Sequence, residues 1–355
     1  MKWLIVLLIV FTGTLILKVP NEDNICYTAQ FAWLILSAGL LFSSLIIKDN
    51  KWLGLVLVTC IMGVIRTLLL GLASKFYLFE NIILGTAIFA VYYATKRLKM
   101  NESILKFFLI PAWINIVFIY YELFFLHHTK LSGLLGNGGF TAVFLAMTLP
   151  LFLKYCKLGL PFLLSAMILC QGGVGLIVAI IVSLFYIYHA HRSVYKPIII
   201  ITLALLVITT PVFLLKTSLF SESKTRLSIF LGTLDGVKHH WLLGWGVGSY
   251  VSIMARIPIE DSKYLGIPLT TEKYVNNHPH NEILMGWWNF GILFPIFIIG
   301  YLYSLTKIFV KEKLLSASII LSGILCSLGS ILTFPAWFLL MMGLGIYENK
   351  EVNYG

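Results

Sequence analysis

Charge is scarce in this chain: Asp, Glu, Lys and Arg make up 12% of its 355 residues, about half the share of a soluble globular domain. Cysteine is scarce too. The five, Cys26, Cys60, Cys156, Cys170 and Cys326, contain no CxxC pair, which argues against a disulfide framework or a thiolate metal site. There is no low-complexity tract and no recognisable repeat of one half in the other, which counts against an inverted-repeat transporter. Acidic residues number 15 against 26 basic ones, a formal charge of +11.

What fills the chain is apolar: 59% hydrophobic residues and a mean hydropathy of +0.93. That composition predicts an all-α polytopic membrane protein, because in lipid only a helix or a closed barrel satisfies every backbone polar group. At about 20 apolar residues per crossing, twelve spans are read at 3–17, 29–47, 52–72, 76–95, 103–126, 139–153, 158–171, 173–188, 197–215, 282–305, 314–332 and 334–347. The sixth to eighth and the last are short, so eleven crossings is the alternative count.

Orientation follows from Lys and Arg in short loops. With the N terminus cytoplasmic, fourteen fall inside, among them Lys96, Arg97, Lys154, Lys313 and Lys350, and three fall in short outer loops, Lys18, Lys75 and Lys130. Both termini are therefore expected inside, and the one long hydrophilic segment, 216–281, outside. The positive excess then faces anionic lipid and calls for no nucleic acid. The first span is followed by no small-x-small cleavage site before Lys18 and reads as a retained helix.

Few ionisable groups fall within the spans. Arg66 lies about two thirds of the way towards the outer end of its span; it either serves function or snorkels outward or pairs with Glu80. Glu122, His127 and His128 end the fifth span as interface or site residues, and Lys106 reads as a snorkelling anchor.

Within the long loop, Leu227, Phe230, Leu231, Leu234, Val237 and Trp241 recur at helical spacing, predicting an amphipathic helix over the bundle from Thr225 to Trp241. Arg226 falls beside its apolar face, where a planar guanidinium suits phosphate oxygens. Leu243-Gly244-Trp245-Gly246-Val247-Gly248-Ser249-Tyr250 follows, its glycines either turn formers or a cradle of exposed amides. The stretch 251–275 reads as irregular loop. Asn276-Asn277-His278-Pro279-His280-Asn281-Glu282 then runs into the tenth span. His280 is open to three readings: a helix-start residue, a metal ligand with His278, or a proton-transfer group, since imidazole titrates near neutrality.

Taken in order, Arg226, Leu242-Leu243-Gly244-Trp245-Gly246-Val247-Gly248-Ser249-Tyr250, His280-Asn281-Glu282-Ile283-Leu284 and Gly291-Ile292 resemble the O-antigen ligase and polymerase family. Gly136-Asn137-Gly138-Gly139-Phe140 with Leu149-Pro150 resembles the start of that family's middle helices. The resemblance implies a metal-independent membrane glycosyltransferase needing no cofactor, at the outward face of the bacterial inner membrane. It would pass a glycan, with inversion, from an undecaprenyl diphosphate carrier to a glycan or lipid acceptor. His280 would be the base for the acceptor hydroxyl and Arg226 the diphosphate contact; Arg66, Asn281, Glu282, Gly246 and Gly248 complete the expected substrate-binding set. Polymerisation of repeat units is the alternative within the family, and a transporter or an assembly scaffold the alternative outside it.

One departure stands out. Where the family carries a Ser-Arg-Gly-like turn between the seventh and eighth spans, this chain has Leu169-Cys170-Gln171-Gly172-Gly173-Val174-Gly175. Either another cation, such as Arg66, Lys216 or Arg256, replaces the missing arginine, or the donor is held differently, or this member is catalytically weak.

Overall fold

The computed structural model describes residues 51–70, 85, 88–128, 131–190, 219–250, 270–271, 274–275, 279–306, 313–329 and 332–349. The expected spans 3–17, 29–47 and 197–215, much of 76–95 and both termini lie outside these. What is described is mostly helical, as the composition requires. In chain order the helices are α1 (Lys51–Leu70), α2 (88–97), α3 (Leu109–Phe124), which continues a 3-10 turn at Glu102–Phe108, α4 (Gly138–Tyr155), α5 (Leu160–Leu169), α6 (Gly173–Ala190), α7 (Leu219–His239), α8 (Glu282–Phe290), α9 (Leu293–Thr306), α10 (Leu314–Gly329) and α11 (Phe334–Glu348). Between α7 and α8, Thr270–Thr271 and Tyr274–Val275 pair as a small antiparallel hairpin, where irregular loop was expected.

Among the described residues three helices are long and apolar enough to cross a membrane: Glu102–Phe124, Gly138–Tyr155 and Gly173–Ala190. Shorter apolar helices are Val58–Leu69, Lys157–Leu169, Leu293–Thr306 and Leu314–Gly329.

Helix α4 is the centre of the bundle. It is apolar on every side, which is the pattern of a helix with no solvent face, and every residue from Thr141 to Phe152 is buried. Its start is legible in the chain: Asn137 Oδ1 accepts from the Gly139 amide at 2.8 Å and the Phe140 amide at 3.3 Å, a side-chain N-cap. Helices α6 and α10 pack against it. The approach of α6 is very close: a Cβ on Gly172 would overlap that of Ala142, and one on Gly175 would lie 2.7 Å from the Ala142 carbonyl oxygen. The glycines that stand near the expected arginine turn are thus a helix-packing surface of small residues.

The antiparallel run of helices sorts polar residues to two ends. At one end Lys154 pairs with Glu102 at 3.0 Å, and the other oxygen of Glu102 accepts from the Ser316 amide at 2.8 Å. Lys96 pairs with Glu348 at 2.9 Å, and Tyr92 also donates to that carboxylate. Lys313 is buried and donates to the last carbonyls of α11, Ile346 at 3.3 Å and Tyr347 at 2.9 Å, where the helix dipole favours a cation. Three lysines expected to serve as lipid-facing charge therefore hold protein partners.

The opposite end gathers loop 131–137, the turn Cys170–Gly173, the end of α10 and the start of α8. A Cβ on Gly138 would lie 2.5 Å from the Cys170 carbonyl oxygen and 2.7 Å from that of Leu131. Glu122 is fully buried here, and its carboxylate accepts from the Ser132 and Gly133 amides at 2.8 and 2.9 Å and from the Ser132 hydroxyl at 3.0 Å. It ties the loop to α3, while His127 and His128 stay exposed. Glu122→Ala should leave the buried Gly133 amide and the part-buried Ser132 amide without acceptors and cost about 2–4 kcal/mol. Faster proteolysis within 125–136, with a lowered melting temperature, would register the loss; an unchanged cleavage rate would show that the loop is held otherwise.

Candidate active site

Helix α8 is only nine residues long, and each of its ends is built by a different part of the chain. The single tenth span expected at 282–305 is in fact two helices, α8 and α9, parted at Gly291. Gly291 has φ +79 and ψ −178, a region essentially closed to residues with a Cβ.

The break is filled by the glycine turn after α7. A helix end leaves carbonyls without intrahelical donors, and here the turn supplies them: the Trp245 amide donates to Trp288 O at 2.7 Å and the Gly246 amide to Asn289 O at 3.1 Å. In return the Ile292 amide donates to Trp241 O at 2.9 Å, and Trp287 Nε1 donates to the same oxygen at 3.0 Å. Gly246, at φ +98, also abuts Thr67 of α1, whose hydroxyl donates to Val247 O at 3.1 Å. Of the two glycines expected to contact substrate, Gly246 has therefore committed its amide to α8. Gly248 is buried at φ +74. The alternating glycines act as a plug for a helix break.

Above the plug the expected amphipathic helix is present as α7, from Leu219 to His239. Phe230, Leu234 and Val237 pack with Tyr250, Leu284 and Trp288 in one cluster. Thr233 and Tyr250 share a hydroxyl hydrogen bond of 2.8 Å, and burial pushes the Tyr250 phenol up to about 12. Trp241 is a correction: it was expected on the apolar face but lies beyond the helix and is 54% exposed, because its backbone has turned to meet Ile292. Arg226 falls within α7, but its side chain lies outside the described residues, as does His278.

At the other end of α8 stands His280. It is half-buried, with φ +54, a left-handed conformation that is uncommon for residues other than glycine. Its neighbours hold the backbone in place. Asn281 caps the helix, accepting from the Leu284 amide at 2.9 Å, and its Nδ2 donates to Leu328 O at 3.0 Å. Glu282 Oε1 accepts from the Leu332 amide at 2.9 Å. The two residues expected to bind substrate are thus pinning the start of α8 to the α10–α11 connection. Strained conformations persist where surrounding structure over-determines them and concentrate at functional sites. The same end holds Gln171, exposed at φ +54, and Val174, which lies 3.3 Å from where a Cβ on Gly329 would be.

Arg66 is found at the plug end instead. Its Nη2 donates to His240 Nδ1 at 3.1 Å, and the His240 ring meets Trp245 edge-on at 3.9 Å. Burial, then the nearby Arg66 and His239 charges, hold His240 below the usual histidine range, which keeps it neutral and able to accept. Sequence reasoning missed His240 entirely; the signal available was the His239-His240 pair ending the amphipathic stretch. With nine residues at about 1.5 Å each, α8 is about 13 Å long, with the plug at one end and His280 at the other. Among the described residues no three His, Cys, Asp or Glu side chains gather. Comparison of the chain with family models, curated proteins and solved structures finds no match.

Proposed function

We propose that this protein is a membrane glycosyltransferase of surface-polysaccharide assembly, akin to O-antigen ligases. It takes a glycan from an undecaprenyl diphosphate carrier and passes it to an acceptor hydroxyl at the outward face of a bacterial inner membrane. What supports the reading is the joining of three separate sequence elements around one short helix: the Arg226 helix packs on α8, the glycine turn caps its far end, and His280 is held rigidly at its near end.

The chemistry needs few groups. His280 takes the proton of the acceptor hydroxyl as that oxygen attacks the anomeric carbon. The carbon–oxygen bond to the diphosphate breaks with its electron pair, and the configuration inverts. The leaving lipid diphosphate gains negative charge, which a fixed guanidinium stabilises; Arg226 is assigned that task.

Two measurements test the reading. Cysteine labelling from either side of the membrane should place 216–281 outside, since the flipped carrier is used there; cytoplasmic labelling of that segment would end the proposal. Arg226→Ala should lower transfer by about a hundredfold, measured as polysaccharide restored to a deletion strain at matched expression.

A further inference from the structure

Among the described residues Arg66 is a cation without a counter-charge. Its one hydrogen-bonded partner among the described residues is the neutral His240, its Nε is buried with no partner, and no carboxylate pairs with it there. A guanidinium offers five N–H donors, and an ionisable group at membrane depth ordinarily finds an opposite charge. Its surroundings are apolar and open: Met62, Ile65 and Leu69 on α1 are 59%, 42% and 80% exposed, and Trp241, Leu242 and Leu243 beside His240 are about half exposed. A ligand that fits both features carries an anion at the head of a hydrocarbon chain.

We infer that Arg66, with His240, holds the phosphate of a lipid-linked acceptor, at a site separate from the donor diphosphate. This rests on the glycosyltransferase reading for the role of the ligand, though not for its chemistry. The separation decides donor from acceptor. Reacting atoms must come within about 3–3.5 Å, and the donor diphosphate is bonded directly to the anomeric carbon, so it must lie close to the group that activates the acceptor oxygen. Arg66 meets His240 beside the plug that caps the end of α8 away from His280, and α8 itself is about 13 Å long. The acceptor's phosphate has no such constraint, because the whole acceptor glycan lies between it and the reacting hydroxyl. Two lipid phosphates at opposite ends of one helix suit the joining of two lipid-linked glycans, which favours repeat-unit polymerisation over the other reactions of this class.

The test is binding by the full-length Arg226→Ala protein, in nanodiscs of uncharged lipid, so that the assigned donor contact does not contribute. Farnesyl diphosphate should bind, and adding Arg66→Met should weaken it by about tenfold or more. Inorganic diphosphate, which lacks the chain, should bind more weakly than farnesyl diphosphate. Equal affinity with and without Arg66 would overturn the inference, and inorganic diphosphate binding as tightly would reassign the site to a free anion. If Arg66→Met does not fold, Arg66→Lys serves: it keeps the charge and loses the fork, so affinity should still fall several-fold, and no fall would count against the site. The readout is binding and involves no transfer, so failure of the binding prediction is distinct from failure of the catalytic one.

Discussion

On the proposed glycosyltransferase mechanism, replacing His280 by Asn is expected to remove glycan transfer while the protein continues to fold. A positioned general base contributes about 10²–10⁴-fold, and an amide cannot take the proton. Asn is chosen because His280 sits at φ +54, a region that Asn tolerates better than most residues. His280→Ala places a second burden on the chain, since Ala enters the left-handed region less readily than His or Asn; comparing the two separates lost chemistry from lost conformation. The start of α8 should survive either change, because Asn281 and Glu282 hold it through Leu328 and Leu332. Transfer would be read as polysaccharide on the cell surface and as turnover by purified protein, with melting temperature as the control. Wild-type turnover by a folded His280→Asn protein would remove the base from the scheme and leave the histidine as a helix-start residue, the simplest of its original readings.

Features made by near neighbours in the chain are legible in it. Asn137 and Asn281 each precede an apolar run and each caps it, and the spacing of Phe230, Leu234 and Val237 places them on the buried face of α7. Features made by distant partners are not. Phe290-Gly291-Ile292 is continuous in hydropathy with its flanks, so a window of about 20 residues reads one span; the break exists because Trp241, Trp245 and Gly246 supply the missing hydrogen bonds from some 50 residues earlier. Arg66 and His240 are 174 residues apart, and no local pattern links them. Position alone marks the glycine turn and the Asn281-Glu282 pair as important, yet their amide and carboxylate groups are engaged with backbone. Motif order marks where a site is assembled, and hydrogen bonding decides which members are free to meet substrate.

Gly291→Ala should destabilise the protein severely, with a loss of about 3 kcal/mol or more. Its φ of +79 with ψ of −178 costs a Cβ-bearing residue about 1–3 kcal/mol in strain alone. The new methyl would also overlap Leu242 O and approach the Leu243 amide nitrogen at 2.7 Å. Both obstacles are backbone, which cannot turn aside as a side chain can. Relief requires the plug to move, and the plug satisfies Trp288 O and Asn289 O. A nine-residue helix that loses its terminal hydrogen bonds is free to tilt, and a tilt at Gly291 carries His280 with it at the other end. Displacement of a reacting group by 1 Å can cost about 100-fold in rate, so transfer should fall even in the fraction that folds. Gly85→Ala is the matched control: among the described residues nothing lies within 4 Å of its Cβ position and its backbone is helical, so the change should be neutral or stabilise by up to about 1 kcal/mol. Equal melting of the Gly291 and Gly85 variants would mean that the break between α8 and α9 is not held by the glycine turn, and the coupling of plug to His280 would fall with it.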